Sequence, residues 1–534
     1  MIKLYTVAEV QAAEEAAISA GRAEQELMLE AGTGVGNLIA ESSGGRPGNA
    51  LFLVGPGNNG GDGLVAAAGL VQFGWTCTIW SYNRDGLQGA PVPPEIAGDF
   101  IWISEADALQ NAADEADVIV DAVFGIGSRS ELPPEVAAAF DLASQTRVRN
   151  GTPLWAVDIP SGVDADTGAA AEQTFRADIT VMIGLPKIGL YQAPAIRYTG
   201  MIESLDIGLP EVEAEPTAPS LVVQADAREL LPRRQAGTHK REVGTLLVVG
   251  GAPEYFGAPR MASAAALRVG AGLVSLAVPR SLIGPIAAAL PEVTFIPLPE
   301  AEFGAAGVRM AQLVREAVES YSALLIGPGL GREELVGEFL GNLFGVRGAG
   351  ITIGFGAPPP EAAAPKERFN GRAVIDADGL YWLASQPEWW ETLSQAELVL
   401  TPHPGELARL LGRTNEEIVA DPWESAREAA ARFKQVVVLK YGHTTVASPD
   451  GSLVVAPQTF PSLATAGTGD VLAGVIASLM AQGLPARDAA IAGVYVGDAT
   501  TQLAQRDLGT LGLVASDLIH TLPFVMKDLY DPTW

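Results

Sequence analysis

The chain has 534 residues, too long for one ordinary hydrophobic core, and its 48% hydrophobic share argues against a disordered polypeptide. With 34 basic and 63 acidic side chains the net charge is −29, which argues against nucleic acid as the main partner because its phosphates would be repelled. The single cysteine, Cys77, forbids an intrachain disulfide and suits a reducing cytoplasm, and four histidines make a zinc site an unlikely design. Met1–Tyr5 runs into a charged helical pattern at Glu9, Glu14 and Glu15, so neither a signal peptide nor a membrane span is expected.

In chain order, the apolar run Leu51–Val54 reads as a buried strand. It leads into Gly55-Pro56-Gly57-Asn58-Asn59-Gly60-Gly61-Asp62-Gly63, with a helix expected over Leu64–Val71. Glycines at a helix start leave main-chain N–H groups bare for a pyrophosphate, although the run is neither a Walker A loop nor a GxGxxG fingerprint. The strands Val118–Val120 and Leu154–Val157 end in Asp121 and Asp158, and Ile179–Ile183 forms another. In a parallel sheet Asn59, Asp121 and Ser161 can converge. Their amide, carboxylate and hydroxyl oxygens suit a hard cation, with potassium, sodium and magnesium all open. Taken singly, each aspartate serves equally well as a helix N-cap.

Residues 211–222 combine acidic residues and prolines without periodicity. The main boundary is placed there, with residues 1–212 as a first domain, 213–224 as a linker and 225–534 as a second domain. In the second half, strands are expected at Thr245–Val249, Leu273–Val278, Ala323–Ile326, Ala373–Ile375, Leu398–Leu400 and Val436–Leu439. Ala-rich helices lie between them. Five of these strands run into polar or glycine-rich loops, and open α/β sheets bind ligands at the carboxyl ends of their strands. Ala466-Gly467-Thr468-Gly469-Asp470 then precedes a helical face of Val471, Leu472, Val475, Ile476 and Leu479. The glycines suit a phosphate. Asp470 would repel one and is better explained as a base that takes a proton from the group attacking the phosphate.

The run Asn58–Gly63, DAVFGIG from Asp121, DIPSGVDADTG from Asp158 and PKIGL from Pro186 together resemble the NAD(P)HX epimerases, which interconvert the R and S forms of hydrated NADH and NADPH. The resemblance implies a Rossmann-like α/β/α domain and a potassium ion held by Asn59, Asp121 and Ser161. It places substrate at Asn58, Asn59, Gly60, Gly61 and Asp62, at Gly125, Ile126, Gly127, Ser128, Arg129, Ser130 and Glu131, and at Asp158. Asp158 is also the candidate acid/base. Lys187 either tunes Asp158 or holds phosphate, or is an ordinary surface lysine. Ile126-Gly127-Ser128 departs from the family's more usual Thr-Gly-Leu.

The second half is similar to the ADP/ATP-dependent NAD(P)H-hydrate dehydratases, through GPGLG at Gly327, DADGL at Asp376, TPHPGE at Thr401 and AGTGD at Ala466. That resemblance implies a ribokinase-like α/β domain that phosphorylates the ring hydroxyl of the hydrate and then expels phosphate. Asp470 would be the base. Ala258, Gly329, His403 and Asp470 would contact substrate, and Lys440, Tyr441, Gly442, His443, Thr444 and Gly469 the nucleotide. ADP is favoured over ATP, with magnesium accompanying it. His403 could instead be a packed strand-end residue. Tyr441 and the segment Thr459–Leu463 depart from the family pattern. A vitamin-precursor kinase and a non-catalytic nucleotide sensor are the competing readings. Apolar helix faces suggest a homo-oligomer.

Overall fold

The computed structural model describes residues 1–127, 131–213, 217–300, 306–346 and 368–530. The chain forms two compact units, Lys3–Pro219 and Ser220–Trp534, the latter joined by Met1–Ile2.

In the first unit, strands β1 (Asn49–Val54), β2 (Thr76–Ser81), β3 (Ile101–Ile103), β4 (Val118–Ala122), β5 (Leu154–Val157), β6 (Ile179–Ile183) and β7 (Met201–Leu205) form one sheet. Its order is β3-β2-β1-β4-β5-β6-β7, and every pairing is parallel. Side chains alternate across a strand. In β1, Phe52 and Val54 therefore join the core under helices Glu24–Ser42 and Asn58–Gln72, while Leu51 and Leu53 face Val136 and Phe140 of helix Pro134–Asn150. This is the expected three-layer α/β/α arrangement. The strand order reverses between β1 and β4, and such a switch point opens a crevice at the carboxyl ends. Helix Asn58–Gln72 begins six residues earlier than the apolar pattern predicts, because Gly57 is its N-cap and the glycine run forms its first turns. A Cβ on Gly32 would lie 2.4 Å from Val65 Cβ, so glycine lets the two helices pack closely.

The second unit contains β8 (Ser220–Leu221), β9 (Thr245–Val249), β10 (Leu273–Pro279), β11 (Thr294–Leu298), β12 (Ala323–Ile326), β13 (Arg372–Ile375), β14 (Glu397–Leu400), β15 (Val436–Leu439), β16 (Thr445–Ala447) and β17 (Leu453–Val455). They run in the order β8-β17-β16-β15-β14-β13-β12-β9-β10-β11. From β11 through β15 the pairings are parallel, whereas β16 and β17 add an antiparallel meander. This is the ribokinase-like arrangement. The segment read as a linker contains β8, which pairs with β17. One face of the sheet is covered by helices Gly257–Val269, Thr468–Ala481, Ala486–Leu508 and Ala515–Tyr530, which share a core with Leu246 and Val248. A Cβ on Gly474 would meet the Ala262 carbonyl at 2.1 Å, so this helix contact also depends on glycine.

Candidate active sites

In the first unit the glycine-rich turn is built by sterics. A Cβ on Gly55 would lie 1.9 Å from the Val123 carbonyl oxygen, and one on Gly60 2.1 Å from the Gly55 carbonyl oxygen. Arg84, buried behind the turn, donates from Nη1 to the carbonyls of Gly55 and Gly57 and from Nη2 to those of Leu87 and Gln88. The turn's carbonyls are thereby held from behind. Asn58 is exposed and donates to Glu24 Oε1 at 3.0 Å.

Asp121 and Ser161 are in direct contact at the switch point, and Asn59 lies beside Gly125 in the connection that follows Asp121. Asp121 is fully buried and accepts from the amides of Val123 and Ser161, at 3.0 and 2.7 Å, and from Ser161 Oγ at 2.8 Å. Ser161 Oγ accepts from the Phe124 amide at 2.8 Å. Asn59 lies beside Gly125, where an added Cβ would be 3.6 Å from Asn59 Oδ1. Both polar atoms of the buried Asn59 amide lack a hydrogen-bond partner among the described residues. A buried orphan amide oxygen is costly, and beside a carboxylate and a hydroxyl it makes an oxygen donor set that fits an alkali cation. Burial pushes the Asp121 carboxyl up to about 7, against the lowering effect of its N–H and O–H donors. A bound cation would favour its ionised form.

Asp158 follows β5 with φ of 64°, a conformation seldom adopted by non-glycine residues. Lys187 is 2% exposed and donates to Asp158 Oδ1 at 2.5 Å and to the Ile183 carbonyl, while the Ile183 amide donates to the same Asp158 oxygen at 3.1 Å. The surface-lysine reading of Lys187 is therefore wrong: the parallel strands β5 and β6 carry both residues to one buried end. Burial, then the charges of Asp158 and Glu14, hold Asp62 well above the usual carboxylate range. Glu14, from helix Val7–Ser19, is also raised by burial and by Asp158, with Lys187 opposing. Arg84 and Glu14 were not foreseen, because neither belongs to a glycine-rich or strand-end motif. Gly125, Ile126 and Gly127 follow β4, and Glu131 is exposed further along the same connection. Ser128, Arg129 and Ser130 lie outside the described residues.

In the second unit Asp470 occupies the first turn of helix Thr468–Ala481, whose N-cap Gly467 has φ of 93°. The largely buried Lys440, at the end of β15, donates to Asp376 Oδ1 at 2.8 Å. Its Nζ sits 3.3 Å from where a Cβ on Gly469 would be. An ammonium ion thus stands beside the first turn of a helix, which suits a phosphate. Burial raises Asp470 to about 7, Asp376 adds to the shift and Lys440 opposes it. Burial likewise raises Glu406 to about 7 against Lys440. Burial disfavours charge on Lys440, but Asp376 and Glu406 outweigh it and raise its pKa.

His403 is exposed and caps helix Pro404–Leu411, its Nδ1 accepting from the Gly405 amide at 3.0 Å while Glu406 Oε2 accepts from the His403 amide at 2.9 Å. It is not a packed strand-end residue. Partial desolvation, then the charge of Lys440, lower its pKa. Gly329 and Ala258 are adjacent: a Cβ on Gly329 would come within 3.3 Å of Ala258 Cβ and 2.4 Å of the Tyr255 carbonyl. The same loop touches Asp376, since a Cβ on Gly327 would meet the Asp376 carbonyl at 1.8 Å. Asp376 and Glu406 lay inside noted motifs without being singled out. The motif positions were the available signal.

Lys440, Tyr441, Gly442, Thr444 and Gly469 line a cavity of ≈ 320 Å³. His443 does not join them. It is buried, with Nδ1 2.8 Å from the Ala456 carbonyl, and burial lowers its pKa to about 4. The bend at Gly442, whose φ is 55°, precedes the residue that turns its ring away from the cavity. Phe460 and Leu463, in the departing segment, form part of the cavity wall.

The fold and the two strand-end sites define a bifunctional α/β enzyme, one half Rossmann-like and the other ribokinase-like. Residues 24–189 match the model for the YjeF-related protein N-terminus, and residues 246–524 the model for NAD(P)H-hydrate dehydratase. The chain is 36% identical over 519 residues to the bifunctional NAD(P)H-hydrate repair enzyme Nnr of Moorella thermoacetica, covering 94% of this chain and 92% of the relative. It is 32% identical over 520 residues to that of Escherichia coli K12, covering 96% and 92%. The chain belongs to the bifunctional NAD(P)H-hydrate repair enzyme family. A solved ADP/ATP-dependent NAD(P)H-hydrate dehydratase from Bacillus subtilis, co-crystallised with ATP and magnesium, is 26% identical with a TM-score of 0.47, covering 58% of this chain and 99% of its own.

Proposed function

We propose that the Lys3–Pro219 unit interconverts the R and S epimers of hydrated NADH and NADPH, and that the Ser220–Trp534 unit dehydrates the S form at the expense of ADP. The observation that supports this most directly is Asp470. It is a half-buried carboxyl, its pKa raised to about 7, at a helix start beside Lys440 and the cavity wall. In this reading Asp470 takes the proton of the ring hydroxyl as its oxygen attacks the β-phosphorus of ADP, and AMP leaves. The C–O bond at the hydrated carbon then breaks and the neighbouring ring carbon gives up a proton to solvent, so that inorganic phosphate leaves and the double bond is restored. Lys440 and the amides near Gly469 would stabilise charge on the transferring group. Tyr441, Gly442, Thr444 and the main chain at His443 would hold the nucleotide, and Ala258, Gly329 and His403 the hydrate.

In the first unit Asp158 would move the proton at the hydrated carbon while Lys187 fixes its carboxylate. The glycine-rich turn from Asn58 to Asp62 and the connection from Gly125 to Glu131 would seat the dinucleotide. Asn59, Asp121 and Ser161 would hold potassium, which would supply positive charge beside the bound phosphates. Among the described residues no group of three His, Cys, Asp or Glu side chains is placed to hold a metal, and in this reading magnesium enters with the nucleotide's phosphates. We also infer a homo-oligomer in the cytoplasm, acting on small molecules rather than nucleic acid. The single cysteine, the net charge of −29 and exposed apolar residues such as Leu511 and Phe524 support that reading. Among the described residues no helix is long and apolar enough to cross a membrane.

The test supplies both epimers with ADP or ATP, in potassium or lithium salt, and follows the return of reduced-nicotinamide absorbance. Conversion of both epimers faster than their spontaneous exchange is the expected result. A folded enzyme that forms no NADH with either nucleotide, or that accumulates a stable phosphorylated product, would sink the proposal. A pH profile adds a second check. Asp470 acts as a base only when deprotonated, and its pKa is raised to about 7. The dehydratase kcat/KM should therefore fall about tenfold per pH unit below that point and level off above it. A profile flat from pH 5 to 8 would contradict this role.

A further inference from the structure

We propose that Asp498 is the residue that reads the base of the nucleotide, selecting adenine through its 6-amino edge; this rests on the assignment of the ≈ 320 Å³ cavity to the nucleotide. Much of the cavity wall is apolar, with Val471, Leu472, Val475 and Val494 contributing. Such walls suit the faces of a purine but leave its polar edge to be satisfied, and an unmet buried donor or acceptor is costly.

Most polar side chains of the cavity are already committed. Thr500 and Thr501 donate their hydroxyl protons to the carbonyls of Val496 and Gly497, one turn back on the same helix, at 2.6 and 2.8 Å. Thr468 donates to the carbonyls of Leu463 and Thr465, and Lys440 is paired with Asp376. Asp498 differs. It is 7% exposed, lines the cavity, and accepts one main-chain hydrogen bond, from Gln458 N to Oδ2 at 3.2 Å. No cation is paired with it among the described residues. Burial pushes its carboxyl up to about 8, so it carries its proton at neutral pH. A protonated carboxyl offers an acceptor and a donor side by side. Adenine presents the complementary pair, the 6-amino N–H and the N1 lone pair. An ionised carboxylate would offer only acceptors.

The test compares ADP with purine riboside 5′-diphosphate, which lacks the 6-amino group, as co-substrates for dehydration by the full-length enzyme. The parent enzyme should favour ADP about tenfold in kcat/KM. Asp498→Ala should remove that preference, raising KM more for ADP, which loses both contacts, than for the analogue, which loses only the one at N1. Asp498→Asn, whose amide keeps an acceptor and a donor, should retain most of it. If Asp498→Ala weakens both nucleotides equally, the residue merely holds the main chain at Gln458 and the proposal is overturned. It is overturned without any variant if the parent enzyme uses ADP and the analogue equally well. Dehydration that needs no nucleotide at all would instead remove the assignment of the cavity, and this inference with it.

Discussion

Replacing Asp470 with asparagine is expected to lower the dehydratase kcat by about 10²–10⁴-fold, the range for losing a general base, while epimerisation continues at the parent rate. Asparagine keeps the shape of the side chain, so the turn after Gly467 should persist. It also removes one member of a crowded acidic group, since Asp376, Asp378 and Glu406 all act to raise the Asp470 pKa. The variant should therefore be at least as stable to heat as the parent. Nucleotide affinity should hold or improve, because an anion near the phosphates has been neutralised. Epimerisation is spared because Asp158 lies in the other compact unit. The measurements are single-turnover NADH formation and exchange between epimers without nucleotide. Retention of dehydration within a few-fold of the parent would exclude Asp470 as the base.

Replacing Lys187 with methionine is expected to cost the first unit about 3–5 kcal/mol, as when one partner of a buried ion pair is removed. Asp158 would keep the Ile183 N–H but lose the ammonium at 2.5 Å. Its charge would then stand among Asp62 and Glu14, which already disfavour ionisation through burial and mutual repulsion. Epimerisation should fall by about 10²-fold or more at neutral pH, because the candidate acid/base loses the ammonium that fixes its carboxylate. Combining Lys187→Met with Asp158→Asn should restore much of the lost stability, because no unpaired charge remains, yet leave epimerisation absent. Thermal unfolding and epimer exchange on the two single variants and the double variant check this. If Lys187→Met unfolds and epimerises like the parent, the pair has neither role.

The strands legible in advance were those buried on both faces. Val118–Val120, Leu154–Val157, Thr245–Val249 and Val436–Leu439 are continuous apolar runs because helices cover both sides of a parallel sheet. Strands β2, β3 and β7 escaped notice for the opposite reason. Thr76–Ser81 mixes polar and apolar residues, Ile101–Ile103 is very short with two exposed positions, and Met201–Leu205 lies at an edge. The same contrast holds for the sites. Asp121, Asp158 and Asp470 stand next to strand ends or glycine turns, so their positions carry a local signal. Glu14 looks like one more charge on an acidic helix, and Arg84 like a loop residue, until the fold brings both beside the Asn58–Gly63 run. Lys187 shows the limit of composition: a lysine is normally exposed, and only the pairing of β5 with β6 explains this one's burial. His443 was drawn into the nucleotide set by its neighbours, although its ring points the other way.

The cap made by His403 also settles which tautomer its ring adopts. Because Nδ1 accepts the Gly405 N–H, it cannot itself carry a hydrogen, and with the pKa lowered the neutral ring must bear its hydrogen on Nε2. The exposed edge of the imidazole is thus a fixed hydrogen-bond donor. With Glu406 Oε1 3.7 Å from Nε2, that edge favours an oxygen as its partner and offers no lone pair to an amide N–H; under the proposed function the partner would be an oxygen of the hydrate. A short-range element of helix capping thereby gives the site a one-directional preference that the histidine side chain alone would lack.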